Sequence, residues 1–364
     1  MKLLKKLLVL LLVAFTLVAC GKSTTGGDQK TTDNGATKID KLHIAFVPSR
    51  DVKDIATQTE PLKGMLIAEL KKAGYEVGAV EISTTQSYEA AGEALVAGTA
   101  QVSFLPGGTY AKYSVANPGA VKVILASTRN GLTYDSENPK DFNTGLPNEN
   151  TKDTVTYYRG IIVAGPTEIG KKLAAKVNAG EKLVWDDIKD AKWCLQSPTS
   201  GSGYQYPLVW FKDTFGKTFN DLQPTQLVKA NGYGGAIKSL QSGQCDIAPG
   251  FNDIRFAVKE TTDKQKSTPD QWIADGGKNI WEETQIIGVT DKIQNDTISV
   301  SSKAVDDKLA KALADAFINI ANTDEGKKVI KIYNHTGYKV VTDADYEGAR
   351  KVDKLVTELN LNKK

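Results

Sequence analysis

Beyond residue 41 the chain alternates short apolar runs with longer stretches in which apolar residues recur every three or four positions. "LHIAFV" (42–47) predicts a strand. "EPLKGMLIAELKKAG", with Thr59 read as its N-cap, predicts a helix closed by Gly74. "YEVGAVEIS", "AQVSFL" and "VKVILAS" predict further strands, with "SYEAAGEALVAG" and the start "GGTYAKYS" as the helices between them. A second series opens at "YYRGIIVAG". It runs through the helix "TEIGKKLAAKV", the strand "KWCLQS", the helix "SGYQYPLVWFKDTFG", the strand "TQLVK", the helix "GYGGAIKSLQSG" and the strand "CDIAPGF". "TQIIGVT" and "TISVSS" then bracket "DKIQND". The chain closes with two helical stretches, the first apolar at 309, 313, 316, 317 and 320.

Strands separated by helices predict an α/β protein whose parallel sheet is covered on both faces. Two such series predict two doubly wound lobes joined by a hinge, with a ligand between them. Lobe 1 is expected to comprise 41–128 and 297–364, and lobe 2 to comprise 157–290. The interval 129–156 is polar and rich in Asn, Asp, Gly and Pro, and is expected as a long loop. Its acids lack the spacing of an EF-hand.

The first twenty residues read differently. "MKLLKK" is a positive n-region, "LLVLLLVAFT" a short apolar core, and "LVAC" precedes a polar stretch. This predicts an export signal, too short for a stable transmembrane span. Leu17-Val18-Ala19-Cys20 resembles a bacterial lipobox, which makes Cys20 the expected lipidated first residue and anchors the protein to the membrane through its acyl chains. Residues 21–40 hold almost no large apolar side chain and are expected as a disordered tether. The working part is then expected outside the cytoplasm, on the extracellular face or in the periplasm.

Net charge is +3 over the whole chain. Without Lys2, Lys5 and Lys6 of the export signal, 43 basic and 43 acidic residues remain. A neutral mature protein argues against nucleic acid as a partner. The two histidines, His43 and His335, lie far apart, so no metal cluster and no Cys–His nucleophile is readable. No cofactor is expected. Cys194 and Cys245 each open a predicted strand of the second series. If those strands are neighbours, the cysteines stand at the same amino-terminal end, within reach of a disulfide. Two buried free thiols are the alternative.

The candidate chemistry sits in "CLQSPTSGSGYQYP" (194–207), where an apolar strand end runs into Ser, Thr and Gly at the mouth of a helix. A helix N-terminus offers unpaired N–H groups and partial positive charge, and small residues let an oxyanion approach them. A phosphate loop for nucleotide chemistry carries a Lys, and this stretch has none. A cradle that binds and releases fits better than one that stabilises a transferring phosphoryl group.

Together with "FVPSRD", "TEPLKGML" and "SYEAAGEALVAGTAQVSFLPGGTY", this stretch resembles the substrate-binding lipoproteins of phosphonate, phosphite and phosphate ABC importers, across about residues 41–350. The resemblance implies the type II periplasmic-binding-protein fold and an ABC permease as partner. The family pattern Ser-Thr-Ser-Gly-aromatic stands here as Ser200-Gly201-Ser202-Gly203-Tyr204, with Gly201 in the Thr position. The resemblance further implies binding roles for Tyr88 and for Tyr233. It also implies roles for Asn252-Asp253 and for Asp296, the two acids being placed to meet a ligand amine. Ser49 and Arg50 follow the first strand at its carboxyl end, where ligands of open α/β sheets gather. Thr109 and Tyr110 begin a helix facing the same crevice, and Arg159 marks the entry to the second lobe.

The expected function is capture of a phosphorus oxyanion by a monomeric, non-enzymatic binding protein. The alternatives are an extracellular α/β hydrolase such as a phosphatase, and a sensory or adhesion lipoprotein on the same fold.

Overall fold

The computed structural model describes residues 30–31, 36–48, 52–230, 232–256 and 268–361. The calls on Cys20, Ser49 and Arg50 lie outside these residues. Fourteen strands are assigned in chain order: β1 (Lys30–Thr31), β2 (Thr37–Phe46), β3 (Tyr75–Thr84), β4 (Val102–Leu105), β5 (Val121–Ser127), β6 (Arg129–Leu132) and β7 (Asn150–Val155). Next come β8 (Tyr157–Ala164), β9 (Trp193–Leu195), β10 (Leu227–Lys229), β11 (Ile247–Phe251), β12 (Gln285–Gln294), β13 (Thr297–Ser301) and β14 (Tyr338–Val340).

They form two mixed sheets and a hairpin. One sheet runs β3–β2–β4–β13–β5–β14, with β1 paired to the start of β2, and the other runs β10–β9–β11–β8–β12. The two share a plan. In each, a run of parallel strands meets a reversed strand that has just arrived from the other lobe, and in the first sheet the edge strands β1 and β14 are reversed as well. In the first sheet the arriving strand is β13, antiparallel to β4 and β5. In the second it is β8, antiparallel to β11 and β12. The expectation of a parallel sheet is corrected here. Strand–helix alternation cannot show that a strand crossing between lobes enters the new sheet from the opposite end.

The elements form for local reasons. Ser87 caps helix Tyr88–Ala97 by accepting from the Ala90 N–H at 3.1 Å, and Gly98, at φ 83°, closes it. Asp306 caps helix Asp307–Ala321, whose stripe of Leu309, Leu313, Ala316, Phe317 and Ile320 is buried against the first sheet. Such a stripe at helical period contributes roughly 1.5–3 kcal/mol for each large side chain fully buried.

Residues 129–156 are not a plain loop. β6 and β7 pair as an antiparallel hairpin. Its tip docks on lobe 2: the Asn143 carboxamide exchanges hydrogen bonds with the Ile286 backbone at 2.7 and 2.9 Å, and Phe142 enters the lobe 2 core. The polar composition of the segment hid this, because side-chain amides and not apolar runs make most of its contacts.

Two further boundaries shift. β12 continues through "DKIQ" to Gln294, past the expected end of lobe 2. The C-terminal helix, Glu347–Leu361, is not confined to lobe 1. Val352 packs with Tyr206, Val209 and Ile293, and Leu355 and Leu359 lie against the lobe 2 core. The helix therefore braces both lobes.

Among the described residues no helix is long and apolar enough to cross a membrane. The structure joins Cys194 and Cys245 in a disulfide with Cα atoms 5.8 Å apart. Cys194 lies in β9 and Cys245 just before β11, and β9 and β11 are parallel neighbours. Both cysteines are buried.

Candidate functional site

The lobes enclose a cleft of about 1060 Å³. Its walls are strand ends, crossing segments and helix starts, where backbone groups and short side chains face the opening. On the lobe 2 wall, Ser200 ends the loop after β9 and begins a turn over Gly201–Gln205 that leads into helix Tyr206–Phe215. Ser200 Oγ accepts from the Gly203 N–H at 3.1 Å. Gly203 is required by space: a Cβ there would stand 2.3 Å from Gln196 Cγ. Gly201 is not so confined, since a Cβ would meet nothing nearer than the Tyr158 hydroxyl at 3.8 Å.

The hydroxyls of this turn share one partner. Tyr233 OH lies 3.1 Å from Ser200 Oγ and 2.9 Å from Ser202 Oγ. Tyr233 is fixed by an edge contact with Phe251, ring centroids 4.9 Å apart. On the other side of the turn, the Tyr158 hydroxyl stands beside Gly201; burial pushes its phenol up, and the nearby Arg129 opposes that shift. The Arg129 guanidinium lies 4.3 Å over the Tyr158 ring, a cation–π arrangement. Its residue is open to cleft water, yet protein surrounds the head closely enough that burial lowers its pKa, with Tyr158 and Asp296 opposing.

The lobe crossing supplies the rest. Asp296 faces the cleft, and its carboxylate lies 3.3 Å from Nε2 of the buried His335, whose Nδ1 is 3.3 Å from Tyr338 OH. Asn295 is buried beside it; its amide donates to Ser127 O at 3.0 Å, and its Oδ1 has no partner among the described residues. Tyr88 and Thr109 line the lobe 1 wall. Gly107 lets the Thr109 helix approach the crossing, since a Cβ there would stand 2.8 Å from Gln294 O.

The structure lines one cleft with Tyr88, Thr109, Gly201 and Asp296, sets Ser200, Ser202 and Tyr233 in the hydrogen-bonded turn around Gly201, with Ser202 buried, and places the other sequence-derived candidates elsewhere. Tyr110 is only 1% exposed, donates to Asp343 and packs on Tyr346; its position in the first turn of a helix did not reveal that it faces the core. Tyr204 packs edge-on against Phe219 in the lobe 2 core. Arg159 is held by Asp135 at 2.9 Å, Glu137 at 3.3 Å and Thr290 O at 3.2 Å, and so clamps the hairpin to lobe 2. Asn252 accepts from Asn148 at 2.9 Å. The Asp253 carboxylate is fully buried and bonded by Arg255 Nη2 at 2.7 Å, so it is not available to meet an amine. Arg159, Asn252 and Asp253 line a second hollow beside the cleft.

Sequence reasoning missed Arg129, Tyr158, Asn295 and His335. The readable signal was position: Arg129 follows the end of "VKVILAS", the carboxyl end of a strand. Among the described residues no three His, Cys, Asp or Glu side chains gather as metal ligands.

A family model described as "ABC transporter, phosphonate, periplasmic substrate-binding protein" matches residues 44–346. No curated protein matches the sequence. Among solved structures, the chain is similar to Mh-p37 of Mycoplasma hyorhinis, described as a candidate thiamine pyrophosphate transporter. That match has a TM-score of 0.60 and 13% identity, and covers 86% of this chain and 100% of the other. It is similar also to a Xanthomonas citri protein bound to chloride ion, at a TM-score of 0.52 and 12% identity, covering 87% and 99% of the two chains. These likenesses show the fold, that of type II periplasmic binding proteins.

Proposed function

The chain belongs to the periplasmic substrate-binding proteins of phosphonate ABC transporters, and from that premise we propose that its interlobe cleft captures a phosphorus oxyanion, a phosphonate, phosphite or phosphate, and delivers it to a membrane permease. Proteins of this family are solute-binding components of transporters and not enzymes, and they work outside the cytoplasm.

The observation that carries the reading is one connected set of donors. Arg129 stacks on Tyr158, whose hydroxyl stands beside Gly201, and Tyr233 joins Ser202 to Ser200 at the start of the same helical turn. A cation, a phenol and the backbone of a helical turn border one opening, and the turn's two serine hydroxyls and a second phenol stand just behind it. An oxyanion there would take charge-assisted hydrogen bonds from groups already in position. Asp296 and the unpartnered Asn295 Oδ1 add acceptors at the crossing, which favours a ligand that also carries a donor.

Calorimetry of the mature protein with phosphate, phosphite, methylphosphonate and 2-aminoethylphosphonate tests the reading. At least one should bind. The double variant Ser200→Ala, Ser202→Ala should weaken the best of them roughly ten- to a hundredfold, from about 1.5–3 kcal/mol for a hydrogen bond to a charged group. No binding, or equal binding by the variant, overturns the assignment. We place the membrane anchor at Cys20 on its lipobox setting; labelling with radioactive palmitate that survives Cys20→Ala would exclude it.

A further inference from the structure

Past Arg129 and Tyr158 the cleft adjoins a second hollow of about 800 Å³, between the β6–β7 hairpin and lobe 2. Arg129 and Tyr158 line both spaces. An oxyanion seated between Arg129 and the Ser200 turn would therefore have an exit for whatever it is attached to. The bare position of Gly201 widens that passage on the Tyr158 side.

The walls of the hollow are tied to one another. Asn148 donates to Asn252, Arg159 to Asp135, and Asn143 pairs with the Ile286 backbone. These bonds tie the hairpin to lobe 2, so the hollow is walled by one lobe and its own hairpin. Its size falls in the range of about 300–1,000 Å³ typical of cavities for drug-sized ligands. A tetrahedral head with a methyl group would leave most of it to water.

The lining selects among substituents. The buried charges cancel: Arg159 is neutralised by Asp135 and Glu137, and Asp253 by Arg255. Apart from these pairs, the charged side chains in the lining are Arg129, directed to the head group, and the exposed Glu149. Among the described lining residues no further cation is present to meet a second phosphate; a neighbouring ammonium, Lys292, lies over the Tyr157 ring, 4.3 Å from its centroid. Asn130 and Asn150 present exposed carboxamides from facing strands, while Leu132 and Phe251 supply apolar surface beside the Tyr158 ring. Carboxamides around apolar and aromatic surface suit an uncharged ring that bears hydroxyls.

We propose that this hollow is the seat of a ring-sized, hydroxylated, uncharged substituent, so that the ligand is a monophosphorylated compound of the sugar-phosphate class. The proposal rests on the oxyanion reading of the Ser200 turn. Calorimetry with inorganic phosphate, methylphosphonate, ribose 5-phosphate and glucose 6-phosphate on the mature protein tests it. A sugar phosphate should bind about tenfold or more tighter than methylphosphonate. Asn130→Trp, a substitution at an exposed hairpin position that fills the hollow, should remove that advantage and leave methylphosphonate affinity unchanged. If the melting profile of this variant departs from the parent, Asn150→Trp plugs the same space from the opposite strand. Methylphosphonate binding as tightly as either sugar phosphate overturns the substituent site and leaves the oxyanion cradle standing. So does a sugar-phosphate advantage that survives both plugs. Failure of all four probes overturns the cradle, and this inference with it.

Discussion

Arg129 shows what a single residue contributes that no motif announces. A guanidinium keeps its charge even when burial lowers its pKa, and its planar face rests on the Tyr158 ring. We expect Arg129→Gln to weaken the best phosphorus ligand about ten- to a hundredfold by calorimetry, from the loss of one charged donor. Arg129→Lys should recover only part of this, because an ammonium cannot stack and fork as the guanidinium does. Unchanged affinity in the Gln variant would remove Arg129 from the site. Ser200 and Ser202 were legible as residues because a run of small hydroxyl residues before a helix has a local physical meaning, while Tyr233 was named only through the family resemblance. Arg129 and Tyr158 were not, since their value comes from two crossing strands brought side by side. Asp253 misled for the complementary reason: nothing local says that Arg255, two positions on, consumes its carboxylate.

At the scale of elements, the apolar period located strands and helices well where burial is one-sided, as in helix Asp307–Ala321. It failed for the β6–β7 hairpin, which is held mainly through Asn143, Asn148 and the Arg159 clamp and sends only isolated apolar residues such as Phe142 into the core, too few to show a period. Strand direction was also unreadable, because β8 and β13 carry the same alternation whichever way they enter a sheet. The disulfide between β9 and the start of β11 is an element-level device. It closes a segment with a sequence separation of 51, which on a chain-entropy account stabilises the fold by about 4 kcal/mol. The double variant Cys194→Ala, Cys245→Ala should lower the denaturant midpoint accordingly. Ligand affinity should hold, since both cysteines lie near the amino ends of their strands while the Ser200 turn follows the carboxyl end of β9. Two alkylatable thiols in the unreduced parent by mass spectrometry would contradict the bridge.

For the whole molecule, two series of strands and helices in the sequence announced two lobes, but only packing reveals that the C-terminal helix braces both. Tyrosines are distributed through the lobe cores and the brace between them, and their environment gives the molecule a defined response to alkali. Nine of the thirteen, at 75, 110, 113, 157, 158, 204, 206, 338 and 346, have phenols held above the ordinary range. Burial is the leading cause in each. At Tyr157, pushed up to about 12, a hydrogen bond to Asp135 adds to it. A phenol raised in the folded state keeps its proton where the unfolded chain releases it. Below the unfolded value, about 10, this contribution to stability is fully present. As pH climbs through the folded values, the unfolded chain binds fewer protons than the folded one and stability falls. Absorbance at 295 nm should therefore show a cooperative rise in phenolate, above the ordinary phenol range of about 10, that coincides with loss of near-ultraviolet circular dichroism. Thirteen phenols titrating together, before any loss of tertiary signal, would mean that the lobe cores and their junction are not packed as described.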